Sequence, residues 1–248
     1  MTREREPILN IPSVVGWTIA ALVAIHVARG FLSPDDDLQL LMLFSFIPAR
    51  YGGVTFGAGL PGGAGAEVWS FITYAALHGS AMHLVVNCIW LLAFGSPVAW
   101  RFGAVRFLLF MGVTAPLGAA AHLLAHPGEL VPMIGASAAI SGLTAAAIRF
   151  VFEAGGPLGV FRRRGRMAFA VPAAPLRDVF RSPQILVFLV VWFGLNFAYG
   201  AGASGLAPGG ATIAWQAHIG GFLGGLLLFP LFDPPMPEGG ALSDIPTA

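Results

Sequence analysis

I-A-W-Q-A-H-I-G-G-F-L-G-G-L-L-L-F-P-L-F, residues Ile213 to Phe232, contains no Asp, Glu, Lys or Arg. An α-helix rises 1.5 Å per residue, so an apolar run of about 20 residues reaches across the ~30 Å hydrocarbon core of a bilayer. The stretch predicts a membrane-spanning helix. His218 lies within it, where an ionisable side chain is costly and therefore informative.

Working outward, five more apolar runs are read as helices: Val14–Phe31, Met82–Trp100, Val105–Ala125, Pro132–Phe152 and Pro183–Ala198. Composition agrees with six spans. The chain is 56% hydrophobic and 10% charged, against about 25% charged in ordinary soluble domains, and its mean hydropathy is +0.78. The expected fold is all-α: a polytopic six-helix bundle over residues 14–232, preceded by a cytoplasmic segment, 1–13, and followed by a cytoplasmic tail, 233–248. A net charge of +1 argues against nucleic acid as a partner. Cys88 is the only cysteine, which excludes an intrachain disulfide and a cysteine zinc cage.

Arginine placement sets the orientation, because cytoplasmic loops retain basic residues near span ends. Arg3 and Arg5 precede the first run, Arg101 and Arg106 lie between the second and third, and Arg149, Arg162, Arg163, Arg164, Arg166, Arg177 and Arg181 follow the fourth. Only Arg29 and Arg50 fall on the other side. Both chain ends are expected in the cytoplasm. The abundance of Arg, Ala and Gly with no Lys points to a GC-rich bacterial genome and hence an inner membrane. Outside, Ser33 to Ala81 carries an apolar stretch, Leu38–Ile47, and a Gly-rich one, Gly52–Gly65, both too short to span and suited to a membrane-associated collar.

Among the polar side chains within the runs, four stand out: His83, Asn87, Ser137 and His218. The second, fourth and sixth helices all enter from outside, which puts each residue roughly 5–10 Å below its helix's outer end. His83 and Asn87 are four apart and share a face. A Ser, a His and hydrogen-bond donors converging in a dry site are parts for acyl transfer. Ser137 would be the nucleophile and His218 the general base, with His83, Asn87 and the Ser137 N–H receiving the oxyanion. No carboxylate falls inside a run, so a Ser–His dyad is expected without a third member. Small residues, Gly135 and Ala138 beside Ser137 and Gly221 and Gly225 after His218, would let the two helices approach.

Three motifs in this order, H-G-S-A-M-H-L-V-V-N at His78–Asn87, G-A-S-A at Gly135–Ala138 and A-H-I-G-G-F-L-G-G at Ala217–Gly225, resemble the rhomboid intramembrane serine proteases. The resemblance covers about Trp69 to Phe232. It implies a Ser137–His218 dyad, an oxyanion site at His83 and Asn87, a turn at Arg101–Gly103, no cofactor and no metal. It also implies that the partners are transmembrane protein substrates within the bilayer. Two positions depart from the pattern: Ala138 stands where the family usually has Gly, and Trp69-Ser70 where a Trp-Arg pair is common.

Ser141 is read as a wall residue, His78 as structural in the outer loop, and the outer segment Tyr199–Gly210 as a cap. No H-E-x-x-H and no buried Asp pair supports a zinc or an aspartyl protease. The competing expectation is a non-catalytic rhomboid-like protein that holds membrane clients; retention of all four polar residues favours the enzyme.

Overall fold

The helices follow the apolar runs, and some end at glycine, as at Gly30 and Gly103. A computed structural model describes residues 11–52, 59–163, 165–200 and 214–235. The expected cap lies almost wholly outside this set, as do parts of the Gly-rich stretch and both terminal segments. Ten α-helices occur among the described residues: α1 Ser13–Arg29, α2 Pro34–Phe44, α3 Gly63–Thr73, α4 Ala81–Trp90, α5 Ser96–Phe102, α6 Ala104–Ala125, α7 Ser137–Ala147, α8 Leu176–Val179, α9 Pro183–Gly200 and α10 Trp215–Phe232. Three segments, Ala81–Phe102, Ala104–Ala125 and Trp215–Phe232, are long and apolar enough to cross a membrane, and three apolar helices are shorter.

α4 and α5 form one continuous rod joined by a π-helical turn, Leu91–Gly95. Pro97 explains it: proline lacks an N–H and its ring crowds the carbonyl four residues back, and a widened turn relieves both. Gly103, at φ 75° and ψ 168°, then reverses the chain into α6.

The largest departure from expectation concerns the fourth span. The sequence pattern predicts a helix over 132–152, yet α7 begins at Ser137 and ends at Ala147. Residues before it run extended. Met133 exchanges backbone hydrogen bonds with Phe46, at 2.8 and 3.1 Å, and the Gly135 N–H donates to the Tyr74 carbonyl at 3.0 Å. Pro132 and Gly135, the latter at φ +119°, resist helix, and the outer segment supplies the partners that helix would otherwise provide. α7 is only about 16 Å long. It is the buried axis of the molecule, with every residue from Ala138 to Ala147 buried.

α6 and α10 flank this axis, and two glycine pairs decide how closely. A Cβ built on Gly221 would lie 2.0 Å from the Ala138 carbonyl oxygen, and one on Gly225 would lie 2.3 Å from that of Gly142. Backbone thus meets backbone along the α7–α10 seam. Gly220 and Gly224, one residue earlier in each pair, instead face Leu117 and Ala121 of α6.

The first outer connection folds into α2 and α3. Ser33 caps α2, accepting from the Asp36 N–H at 3.2 Å. Arg29 holds Asp37 through two bonds of 2.7 and 2.9 Å and donates to the His78 carbonyl at 2.8 Å. Phe46, Tyr51, Phe71 and Tyr74 pack as an aromatic group, and the Tyr74 hydroxyl donates to the Ala115 carbonyl of α6 at 2.9 Å.

At the opposite end, Arg101 closes the bundle. Its guanidinium donates to both Asp233 oxygens, at 2.6 and 2.9 Å, and to the Phe169 and Val171 carbonyls, at 2.9 and 2.7 Å. The side chain is 1% exposed and lies over the Phe150 ring. Removing one partner of such a buried pair strands the other, at a cost of about 3–5 kcal/mol. Arg101→Ala is expected to lower the thermal unfolding midpoint in detergent markedly. Arg101→Lys should restore little of it, because an ammonium cannot reproduce the planar fork.

Candidate active site

α4, α7 and α10 begin at one end of the bundle, and the polar residues singled out from the sequence lie near those starts. Ser80 sets the first: its hydroxyl accepts from the His83 N–H at 3.2 Å, an N-cap that starts α4 three residues before the imidazole. The extended lead into α7 sets the second, delivering Ser137 as the first residue of that helix. The glycine seam sets the third. His218, Gly221 and Gly225 share one face of α10, so contact at the glycines brings the imidazole against the start of α7.

The Ser137 hydroxyl and His218 Nε2 are 2.7 Å apart. Both residues are half-buried. Ser137 occupies a helix start, where main-chain N–H groups lack intrahelical acceptors and the helix dipole favours negative charge. The expected depth below the helix end is corrected here: Ser137 is at the end of α7 itself, because the preceding residues are extended rather than helical.

His83 faces the same point. A Cβ on Gly135 would lie 2.7 Å from His83 Nε2 and 3.7 Å from the Ser137 hydroxyl. Gly135 is therefore required twice, by its positive φ and by the imidazole that fills the space a side chain would take. Asn87 lies one turn deeper and is 3% exposed. Its Nδ2 donates to the His83 carbonyl at 3.0 Å, and among the described residues it makes no hydrogen bond to Ser137 or His218. One Nδ2 proton remains for another acceptor.

His78 stacks edge-on against His83 with centroids 5.0 Å apart. Burial, reinforced by His83, lowers the His78 pKa to about 4, so a neutral ring supports His83 from behind. The Ser141 hydroxyl donates to the Ser137 carbonyl at 2.7 Å, which occupies it within α7. Ala138 is turned away from the Ser137–His218 pair in its packing: its methyl abuts Gly118 of α6, where an added Cβ would come within 2.5 Å. The extra methyl is absorbed in the α6–α7 seam.

One contact was not anticipated. His218 Nδ1 is hydrogen-bonded to Asn196 Oδ1 on α9. The apolar runs hold no carboxylate, and none stands at this position; a carboxamide does. The signal was available, since Asn196 is a strongly hydrogen-bonding residue inside an apolar run, under the same rule that picked out Asn87.

The Rhomboid domain family model matches residues 65–233. Rhomboid-like protease 3 of Toxoplasma gondii is 24% identical over 216 residues, covering 86% of this chain and 66% of that protein. Rhomboid protease GlpG of Enterobacter sp. (strain 638) is 25% identical over 150 residues, 58% of this chain and 46% of the relative. Its namesake from Salmonella paratyphi A is 26% identical over 199 residues, 79% and 60% respectively. The chain thus spans between about half and two thirds of the length of these relatives.

Proposed function

Because the chain belongs to the rhomboid family and is an integral membrane protein, we propose that it is a serine endopeptidase that cleaves transmembrane proteins within the bilayer. The observation that carries this reading is the 2.7 Å contact between the Ser137 hydroxyl and His218 Nε2 at the start of a buried helix. The relatives named as proteases support the reaction class.

In this reading the Ser137 oxygen attacks the scissile carbonyl carbon while His218 Nε2 takes the hydroxyl proton. The carbonyl oxygen becomes an oxyanion beside the first N–H groups of α7, with His83 and Asn87 as further donors. Collapse breaks the C–N bond, and the proton on Nε2 passes to the leaving amine. Water then attacks the acyl-serine while His218 Nε2 accepts its proton; collapse breaks the acyl C–O bond, the proton on Nε2 passes to the Ser137 oxygen, and the acid is released. Gly135, Ala138, Gly221 and Gly225 keep the reacting groups close.

Peptide bonds in a helix are shielded by their own hydrogen bonds, so substrates with helix-weakening Gly or Pro near the cleavage point are favoured. The starts of α4, α7 and α10 face outward, both chain ends are cytoplasmic, and the membrane is a bacterial inner membrane; the arginine distribution supports this orientation.

A serine-directed fluorophosphonate or isocoumarin probe, applied to the purified protein in detergent, tests the reading directly. Wild type should label, while Ser137→Ala and His218→Ala should not. Equal labelling of all three would remove the proposed nucleophile.

A further inference from the structure

We propose that Asn196 is a positioning residue that holds His218 in the tautomer and orientation needed to deprotonate Ser137, supporting the expected Ser–His dyad from α9. The inference rests on the serine-protease reading and deepens it.

The carboxamide can face His218 in only one sense. Its Nδ2 donates to the Trp192 carbonyl, one turn back on α9, at 2.8 Å. Exchanging the amide oxygen and nitrogen would set two acceptors against each other at that contact, so Oδ1 is the atom turned toward His218. An amide oxygen can only accept. His218 Nδ1 must therefore carry the proton in the bond between them. A neutral imidazole has one N–H, which leaves Nε2 as a bare lone pair pointed at the Ser137 hydroxyl 2.7 Å away. The opposite tautomer would pair Nδ1 with an acceptor it cannot bond and aim an N–H at the hydroxyl whose proton has to leave.

Packing keeps Asn196 at this register. Trp192 and Phe193 of α9 lie against Phe222 of α10, with ring centroids 4.9 and 5.5 Å apart, and Phe197 meets Trp215 at 6.1 Å. These contacts bracket Asn196 on both sides, so the α9–α10 interface that places it also places His218. A carboxamide suits the surroundings better than a carboxylate: it orients the imidazole without burying a second charge, and one of its two Nδ2 protons is satisfied within its own helix.

Two measurements test the role. Cleavage of a transmembrane substrate in liposomes should fall in kcat by at least about 10–100-fold for Asn196→Leu, the range seen when the partner orienting a metal-bound imidazole is removed, with KM within about twofold. Asn196→Asp, which keeps an acceptor facing Nδ1 but sets a second one against the Trp192 carbonyl, should recover part of the loss. Wild-type kcat in Asn196→Leu, or equal losses in the Leu and Asp variants, would overturn the proposal.

The second measurement does not need activity. In protein labelled with ¹⁵N-histidine, the His218 resonances, assigned by their loss in His218→Ala, should report protonated Nδ1 and bare Nε2 in the wild type. The preference should relax in Asn196→Leu. A wild-type ring protonated at Nε2 would sink the positioning role even if Ser137 proved to be the nucleophile. Conversely, a Ser137→Ala variant that still cleaves would remove Ser137 as the nucleophile, and with it the serine-protease assignment of this site, whatever the tautomer.

Discussion

Ser137→Ala is expected to reduce cleavage of a transmembrane substrate by roughly 10⁴-fold or more, and His218→Ala to do the same. The Ser137→Ala/His218→Ala double variant should be no worse than either single one. The two side chains act as a unit across their 2.7 Å contact: a hydroxyl without its base is a weak nucleophile, and the base without the hydroxyl has nothing to activate. Losses in such units are not additive. Neither replacement opens a backbone clash, so unfolding midpoints in detergent should stay near the wild-type value. Proteoliposomes carrying a fluorogenic transmembrane peptide would supply the rates. Multiplicative losses in the double variant, or a Ser137→Ala protein within tenfold of wild type, would contradict the assignment.

Gly221→Val carries the next largest effect and acts entirely through packing. Its Cβ would sit 2.0 Å from the oxygen and 2.7 Å from the carbon of the Ala138 carbonyl. Those atoms belong to the α7 backbone and cannot rotate aside as a side chain could, so α10 must move away. His218 is three residues earlier on the same face and moves with it. A displacement of about 1 Å at a reacting group costs on the order of 10²-fold in rate, and overpacking adds about 1–3 kcal/mol of destabilisation. The expected result is a folded but weakened protein with kcat reduced at least 10²-fold. Gly112→Ala serves as the control, because a Cβ there meets nothing within 4 Å. If Gly221→Val matched that control in rate, close approach of α7 and α10 would not be what sets the Ser137–His218 distance.

Much of the site was legible because lipid makes polar groups conspicuous. Ser137, His218, His83 and Asn87 stand out in apolar runs without reference to any contact, and the motif order identified the family. The start of α7 was less legible. Hydropathy registers that residues 132–152 are apolar, but it cannot register that Met133 and Gly135 take their hydrogen bonds from Phe46 and Tyr74, about 90 and 60 residues away. Asn196 is inconspicuous for a different reason: it carries no charge, and an imidazole N–H needs only an acceptor. In the sequence, the glycines at 220, 221, 224 and 225 follow one another as two adjacent pairs. Their division into a face toward α6 and a face toward α7 depends on the rotation of α10, which only its neighbours determine.

By itself, then, the sequence determined the solvent, the helical class, the family and the side chains that lipid would exclude unless they had partners. Those properties are local or compositional, and each residue carries its share regardless of the rest. Tertiary structure alone decided that α7 begins at Ser137, that Ala138 packs into the Gly118 seam, and that Asn196 meets His218. Each of these is a distance between segments remote in the chain, set by backbone contacts at glycine and by hydrogen bonds that no single segment can complete.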